Sequence, residues 1–265
     1  MSSRPKGSSA KPAAPAKPKT TKAKAKAKRV KAKPAPAKPR APKAPPRKAK
    51  DLALDASDDR VEKVILGDTV LSIRMPLDLQ DADYQAKSTA DAKPLWGFLW
   101  PSATAMGRLI MQGEDLSGKR IIDLGCGLGV VGIAAALRGA TVVSADIRPE
   151  AIRLVTHNAA RNGAEVTARV VDFHQPPEDL GLFDAILGAD ILYDDGMLRG
   201  VLRFIRRHLA PNGLAILADP MRVLPGGVAG AARLSGLEVS STVLRPGTVV
   251  SGGITLYELW RRRPS

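Results

Sequence analysis

A glycine-rich turn at residues 123–129, Asp-Leu-Gly-Cys-Gly-Leu-Gly, constrains the fold of this chain more than any other segment. A short apolar run, KRIIDL (119–124), leads into it, and a run of helical composition, GVVGIAAALRG (129–139), follows it. The first two glycines allow positive φ angles and a close approach of the backbone to a ligand, and Gly129 lets the helix pack against the strand. The segment therefore predicts a strand, a tight turn and a helix, the repeating unit of a parallel α/β sheet.

Strand and helix patterns continue to alternate through the rest of the chain. Apolar runs of strand length occur at 141–147, 165–173, 183–192, 214–220, 236–244 and 253–262. Segments of helical composition separate most of them, at 148–163, 195–210 and 225–235. Such repetition implies a parallel sheet with helices on both faces, whereas the last two strands, adjacent in sequence, are expected to be antiparallel. The predicted fold is α/β, a Rossmann-like doubly wound sheet of seven strands with an antiparallel last strand.

Two elements are predicted ahead of this sheet. The alternating runs VEKVIL (61–66) and TVLSIR (69–74) flank a Gly-Asp pair, a pattern typical of a β-hairpin. The segment ATAMGRLIMQ (103–112) has helical composition, and we expect either Ser102 or Thr104 to cap its N-terminus.

Charge divides the chain into two parts at residue 50. The whole chain has a formal net charge of +15, but residues 1–50 hold 18 of the 41 Lys and Arg side chains and no Asp or Glu. The remaining residues, with 23 basic and 26 acidic side chains, carry a formal charge of −3. The Lys-, Ala- and Pro-rich tail resembles linker-histone tails in composition. It predicts a disordered segment that contacts nucleic acid or another polyanion, or else a spacer with no defined ligand.

The predicted domain organisation follows from this division. A disordered basic tail spans residues 1–50 and an acidic linker spans 51–60. The folded domain spans 61–263, with the hairpin and first helix at 61–115 and the Rossmann-like core at 119–263.

Several classes of protein are disfavoured by the composition. No apolar stretch reaches 18 residues, so a membrane span is not expected. A single cysteine, Cys126, excludes an internal disulfide framework, and the three histidines lack the spacing of metal ligands.

Acidic residues around the glycine turn indicate which cofactor it binds. Asp123 precedes the glycines, where it can accept a hydrogen bond from a cationic group, and Asp146 ends the next strand, where a carboxylate can bind both ribose hydroxyls. The segment Gly127-Leu-Gly129-Val-Val-Gly132 also fits the G-x-G-x-x-G dinucleotide fingerprint, but no second nucleotide-binding half is evident. S-adenosylmethionine (SAM), with an ammonium group and no pyrophosphate, fits the pattern better than NAD or FAD.

Two further strand ends complete the predicted site. Asp172 and Phe173 end the third strand of the core, where an acid beside an apolar ring suits an adenine. The fourth strand ends in Ala189, Asp190 and Tyr193. In a SAM enzyme this strand end lies next to the methyl group that is transferred.

Six segments carry a resemblance to a known family: PLWGFLWPSATAMGRLI (94–110), DLGCGLGVVGIAAALRGA (123–140), ADIRPEAI (145–152), HNAARNG (157–163), GADILYDD (188–195) and ADPMR (218–222). Over roughly residues 60–260 the chain resembles the seven-strand, class I SAM-dependent methyltransferases of the family 16 protein-lysine methyltransferase group. Within this group it is similar to the electron transfer flavoprotein beta subunit lysine methyltransferases. The Leu-Trp-Pro block and the Asp-x-x-Tyr motif are the specific part of this resemblance.

The resemblance implies methylation of a protein lysine, with a flavoprotein subunit or a ribosomal protein as candidate targets. It implies that Asp190 orients the lysine amine, that Tyr193 walls the channel and that Trp100 covers the cofactor. The alternative for Trp96 and Trp100 is that they only anchor the N-terminal segment in the core. Asp219, followed by Arg222, matches a further stretch that suggests a substrate-side role.

The expected catalytic residues are therefore Asp190 and Tyr193, and no metal site is expected. The expected SAM-binding residues are Trp100, Asp123, Gly125, Cys126, Gly127, Gly129, Asp146, Ile147, Asp172, Phe173 and Ala189. A small-molecule N-methyltransferase and a nucleic-acid-associated binding protein are the alternative functions. We expect a monomer with a protein substrate and no membrane association. It would act in the cytoplasm, with nucleoid or ribosome association through the tail as a further option.

Overall fold

The computed structural model describes residues 59–76, 95–220, 227–244 and 253–262. The predictions made for the tail at 1–50 and for Arg222 lie outside these residues, as does most of the predicted linker at 51–60. Within these ranges, none of the helices combines the length and the apolar character of a membrane-spanning segment.

A seven-stranded sheet forms the centre of the fold, and its order is β5-β4-β3-β6-β7-β9-β8. Neighbouring strands from β5 to β7 are parallel, and β9 is antiparallel to both β7 and β8. The prediction of a doubly wound sheet with an antiparallel last strand is therefore confirmed. The strands are β3 (Arg120–Leu124), β4 (Thr141–Asp146), β5 (Thr167–Val170), β6 (Phe183–Ala189), β7 (Leu209–Asp219), β8 (Leu237–Leu244) and β9 (Ile254–Arg261).

Helices cover both faces of the sheet. On one face, apolar side chains of α4 and α5 share a buried cluster with the strands, and on the other face α1 and α2 do so. Short 3-10 turns lie at Leu95–Gly97 and Glu178–Leu180. The helices are α1 (Pro101–Gln112), α2 (Val130–Leu137), α3 (Pro149–Arg161), α4 (Asp195–His208) and α5 (Gly227–Leu234).

The predicted β-hairpin is present and forms a separate two-stranded sheet, β1 (Asp59–Leu66) and β2 (Thr69–Pro76). Its buried residues pack against α2 and α3. Two asparagines also hold the hairpin in place: Asn158 within α3 and Asn162 at the C-cap of this helix. The side-chain oxygens of Asn158 and Asn162 accept the backbone N–H groups of Arg74 and Ser72, at 2.8 and 2.7 Å. These bonds satisfy the outer backbone edge of β2, which another strand would otherwise pair with.

Several element boundaries differ from the sequence predictions. β5 ends at Val170 because its partner strand β4 ends at Asp146, opposite Val170, so no further pairing is available. α4 ends at His208 and β7 starts directly at Leu209, with a register shift beside Phe183 that accommodates the extra residues. β1 begins at Asp59, inside the predicted linker.

The N-terminus of α1 also differs from the prediction. The helix begins at Pro101 with Trp100 as its N-cap, and no side chain caps it locally. Ser102 and Thr104 therefore lie inside the helix, and the prediction that one of them is the cap was wrong. Proline pre-sets the first helical position, which explains why the helix starts two residues earlier than expected.

Candidate functional site

A cavity of about 620 Å³ lies at the carboxyl ends of the parallel strands. The chain adds β4 and β5 on one side of β3 and then returns to place β6 and β7 on the other side. Open α/β sheets bind ligands at such a switch point, and the volume is typical of a small-molecule site. Twelve of the thirteen predicted site residues line this cavity: Trp100, Asp123, Gly125, Cys126, Gly127, Gly129, Asp146, Ile147, Asp172, Phe173, Ala189 and Tyr193.

The glycine turn has the backbone conformation that its sequence predicts. Gly127 and Gly129 have φ angles of 49° and 88°, in the left-handed region. A Cβ atom on Gly127 would lie 3.0 Å from the carbonyl oxygen of Trp96, and one on Gly129 would lie 2.3 Å from Val155. A side chain at either position would therefore displace the loop or the helix behind it.

Asp123 presents a buried carboxyl group to the cavity. Its Oδ2 accepts the backbone N–H of Gly132 in α2 at 2.8 Å, and Oδ1 makes no bond within the described ranges. Burial raises the pKa of Asp123 from 3.8 to about 7, and the nearby Asp146 adds to the rise. A cationic group bound next to Oδ1 would stabilise the ionised form.

Asp146 is held by the loops on both sides of it. Its Oδ2 accepts the N–H of Gly127 at 3.1 Å, and its Oδ1 accepts the N–H of Arg148 at 2.9 Å. Burial raises the pKa of Asp146 above its ordinary value, and these amides partly offset the rise. Carboxylate oxygens have further lone pairs, so this fixed group can also bind the two hydroxyls of a ribose.

Aromatic side chains of residues 95–100 form one wall of the cavity. Trp96, Phe98 and Trp100 all line it. The indole N–H of Trp100 donates to the carbonyl oxygen of Leu95 at 2.9 Å, which fixes the ring over the cavity. Trp96 reaches both the cavity and the apolar cluster around α2, so the wall and core-anchor interpretations both apply to it.

The end of β5 supplies a second aromatic wall. The rings of Phe173 and His174 lie 4.7 Å apart, and Asp172 Oδ1 accepts the N–H of His174 at 2.8 Å. Cys126 also lines the cavity, and burial raises the pKa of its thiol well above the ordinary value. A thiol so resistant to ionisation is a packing residue and not a nucleophile.

Asp190 is the one predicted site residue that does not line the cavity. It is fully buried and adopts φ = 59°, the only positive φ of a non-glycine residue in the described part of the chain. Its N–H donates to Ala218 at 2.9 Å, and its Oδ2 accepts the N–H of Ser102 at 3.2 Å, at the start of α1. The carboxylate predicted to orient a lysine amine thus lies behind the cavity wall, at the N-terminus of a helix.

Tyr193 and the start of α4 form the open end of the cavity. Tyr193 is 39% exposed, and Asp194 and Met197 also line this end. Asp194 Oδ1 accepts the N–H of Met197 at 2.8 Å and is the N-cap of α4. Asp195, in the first turn of α4, adds a second carboxylate next to the opening.

Sequence reasoning missed several lining residues and one interaction. Arg148 and His174 follow Asp146 and Phe173 within two positions, so their place after a predicted strand end was an available signal. The contact between Asp190 and Ser102 had no local signal. Asp219 is buried and does not line the cavity. It lies near Tyr257, and both burial and the Asp219 carboxylate raise the pKa of Tyr257. Within the described ranges, no group of three potential metal ligands exists.

These residues fit SAM. An acid with an unsatisfied carboxylate oxygen suits the ammonium group of the cofactor, a fixed carboxylate suits its ribose, and apolar walls suit its adenine. The approach of Trp96 to Gly127 also leaves little room for the pyrophosphate of a dinucleotide at the turn.

Comparisons with known proteins agree with this assignment. Residues 115–241 match a methyltransferase domain family. The chain is 33% identical over 132 residues to the electron transfer flavoprotein beta subunit lysine methyltransferase of Danio rerio, covering 49% of this chain and 51% of that protein. It is 39% identical over 104 residues to the ribosomal protein L11 methyltransferase of Vibrio campbellii, covering 39% of this chain and 34% of that protein. The chain thus spans only about half of the length of the flavoprotein-subunit lysine methyltransferase.

A solved structure supports the fold. Magnesium protoporphyrin IX methyltransferase from Synechocystis PCC 6803, solved with bound SAM, aligns with a TM-score of 0.50 at 17% identity and covers 60% of this chain and 78% of that one. Fold, cofactor site and sequence comparisons together show that the chain contains a methyltransferase domain and is similar to class I SAM-dependent methyltransferases, including protein-lysine methyltransferases of the family 16 group.

Proposed function

We propose that this protein is a SAM-dependent N-methyltransferase whose acceptor is a lysine side chain of another protein. The observation that carries the proposal is the cavity itself, which has the buried carboxyl groups of Asp123 and Asp146 at its donor end and the exposed side chains of Tyr193 and Asp194 at its acceptor end. The similarity to protein-lysine and ribosomal protein methyltransferases supports a protein acceptor.

Bound SAM supplies an activated methyl group, so the residues of the chain have to hold the cofactor, align the acceptor and exclude water. In our proposal Asp123 binds the ammonium group, Asp146 binds the ribose, and Asp172 and Phe173 bind the adenine. The glycine turn and Ile147 pack against the cofactor, and Trp100 closes over it.

The acceptor end must bring in a neutral amine. A lysine has an ordinary pKa of ~10.4, so deprotonation at pH 7 costs about 4.6 kcal/mol. Entry between the apolar side chains of Tyr193 and Met197 removes water from the ammonium group, which lowers its pKa. We propose that Tyr193 forms this wall and that Asp190 supports it from within by fixing the start of α1.

Incubation of the full chain with methyl-labelled SAM and a cell extract tests the proposal. We expect label on one or a few proteins, and mass spectrometry should locate it on lysine. Candidate targets are the electron transfer flavoprotein beta subunit and ribosomal proteins. Label found only on small molecules would replace the proposal with the alternative, a small-molecule N-methyltransferase.

We further propose that the basic residues 1–50 contact nucleic acid or another polyanion and hold the enzyme near a nucleoid or a ribosome in the cytoplasm. The 18 Lys and Arg side chains and the absence of acids there support this idea. Binding of the full chain to a DNA duplex should fall steeply between 50 and 200 mM salt, by about three orders of magnitude or more if ~6 phosphates are contacted.

We also propose that the protein is a monomer, which analytical ultracentrifugation would test.

A further inference from the structure

Helix α4 carries opposite charges at its two ends. Asp194 and Asp195 stand at its start, beside the open end of the cavity. Four exposed arginines follow along its outer side: Arg199, Arg203, Arg206 and Arg207. The opposite side of the helix is apolar and buried in the core. The solvent face of α4 thus changes from acidic at the cavity opening to purely basic beyond it.

The spacing places these arginines on one face. Arg199, Arg203 and Arg207 are four residues apart, and Arg206 is three residues from Arg203, so all four lie within about 100° of helix circumference. At the end of neighbouring α5, Arg233 and Leu234 are also exposed, and Leu234 is 92% accessible. We call Arg199, Arg203, Arg206, Arg207 and Arg233 the arginine face.

Most of the arginine face lacks an internal partner. Within the described ranges, Arg199, Arg203, Arg207 and Arg233 make no ion pair or side-chain hydrogen bond, and Arg206 donates to the carbonyl oxygen of Ser235 at 3.0 Å. By contrast, Arg169 and Arg262 are paired with Asp179 and Glu238. These arginines have no carboxylate partners within the described ranges, so they are available to bind an external anion.

Helix stability explains only part of this arrangement. Arg206 and Arg207 lie in the last turn, where positive charge compensates the helix dipole. That effect falls off within one turn, so it does not account for Arg199 and Arg203. A run of arginines that starts two residues after Met197 in the cavity wall is placed to contact whatever enters the opening.

We propose that the arginine face is the docking surface for an acidic segment of the protein substrate that flanks the acceptor lysine. The proposal rests on lysine methylation as the function. The two aspartates attract the lysine, and the arginines attract the carboxylates beside it. A nucleic acid fits less well, because its phosphates would meet Asp194 and Asp195 at the opening.

The length of the surface sets the length of the segment. Met197 to Arg207 spans ten residues of helix, or about 15 Å at 1.5 Å per residue. An extended peptide covers that distance in about five residues at ~3.3 Å each. The acidic residues should therefore lie within about five positions of the lysine.

Two 15-residue peptides test the surface on the full chain. Both have a central lysine, and one has four glutamates on each side where the other has glutamines. We expect the acidic peptide to bind about tenfold more tightly by fluorescence anisotropy and to be methylated with a lower KM and the same kcat. In the triple variant Arg199→Gln, Arg203→Gln, Arg207→Gln, the preference should fall below threefold, with the affinity for SAM unchanged.

The matched control removes the same charge elsewhere, in the variant Lys63→Gln, Lys119→Gln, Arg161→Gln, whose three side chains are exposed on other elements. It should keep the preference. Equal binding of both peptides to the wild type, or an unchanged preference in the arginine variant, overturns the inference. So does a loss of binding to a 20-base-pair DNA duplex in that variant without a change in peptide preference. Arginine-dependent binding of the acidic peptide without any methyl transfer would refute lysine methylation and leave the docking surface in place.

Discussion

The two ends of the cavity are built in different ways. At the donor end, the residues that hold one another are close in sequence, since Gly127 and Asp146 are 19 positions apart and Asp123 and Gly132 only nine. At the acceptor end, Asp190 bonds to Ser102 across 88 positions. The donor end is thus a compact strand–turn–helix–strand unit, whereas the acceptor end exists only when α1 and β6 are both in place. Substitutions should separate the two ends, with donor-end changes affecting cofactor affinity and acceptor-end changes affecting turnover.

The largest effect is expected for Asp146→Ala at the donor end. The variant loses the ribose contacts and also leaves the N–H groups of Gly127 and Arg148 without their acceptor. Hydrogen bonds to charged groups contribute about 1.5–3 kcal/mol each, so the Kd for SAM should rise about 100-fold by isothermal titration calorimetry. Asp68→Ala, in the exposed turn of the hairpin, is the control and should leave the Kd unchanged. A rise of less than threefold in Asp146→Ala would mean that this carboxylate does not bind the cofactor.

The same contrast explains how much could be predicted from the sequence. The glycine turn and Asp146 were predictable because local steric rules and the alternation of strands and helices place them at one sheet edge. The cavity indeed gathers them. The start of α1 was predicted wrongly because Ser102 suggests a local cap. Its N–H is instead satisfied by Asp190, a partner that only the folded sheet brings close.

The motif at 190–193 shows a further limit. Its sequence indicated a functional strand end, but it did not show that Asp190 points inward and Tyr193 outward. That difference depends on the left-handed backbone at Asp190, which no pattern of residue types specifies for a non-glycine residue.

Substitutions of Asp190 test the acceptor end. Asp190→Ala leaves the buried N–H of Ser102 without an acceptor, at a cost of about 2 kcal/mol, and shifts the start of α1. We expect kcat on a lysine substrate to fall about 30-fold, with the Kd for SAM changed less than threefold. Asp190→Asn keeps an acceptor oxygen and tolerates positive φ, so its kcat should fall only about threefold.

The comparison of these two variants distinguishes a positioning role from a catalytic one. If Asp190→Asn loses as much activity as Asp190→Ala, the negative charge itself acts on the lysine amine. If both variants instead raise the Kd for SAM by tenfold or more, the two ends of the cavity are not separable.

A smaller effect is expected from the pH dependence of the donor end. Asp123 has a pKa of about 7 in the folded protein and an ordinary value of 3.8. Below pH 7 it is protonated, so binding the ammonium group of SAM requires release of a proton. The affinity for SAM should therefore rise about fivefold between pH 6 and 7, about tenfold between pH 6 and 8, and level off above pH 8. Asp123→Asn should bind SAM weakly and without this dependence, as titrations in buffers of different ionisation enthalpy would show.

The stability of the protein without cofactor should change in the opposite direction. The folded state holds the Asp123 proton more tightly than the unfolded state does. The contribution of this group to the free energy of unfolding is therefore fully present below pH 3.8 and is lost as the pH rises through 7. Thermal unfolding should show Asp123→Asn gaining Tm relative to the wild type between pH 5 and 8. A constant difference in Tm over this range would contradict the raised pKa.

The smallest effect is expected at Tyr193, on the rim of the acceptor end. Its side chain is partly exposed, so Tyr193→Ala should leave the fold and the SAM site intact. The variant removes one of the side chains that displace water from the ammonium group of an incoming lysine. We expect the KM for a lysine-containing substrate to rise about threefold to tenfold, while the Kd for SAM changes less than twofold. Tyr193→Phe keeps the ring and should behave nearly as the wild type in KM. A loss of activity in Tyr193→Phe as large as that in Tyr193→Ala would assign the role to the hydroxyl group, and the acceptor end would then use a polar contact in place of an apolar wall.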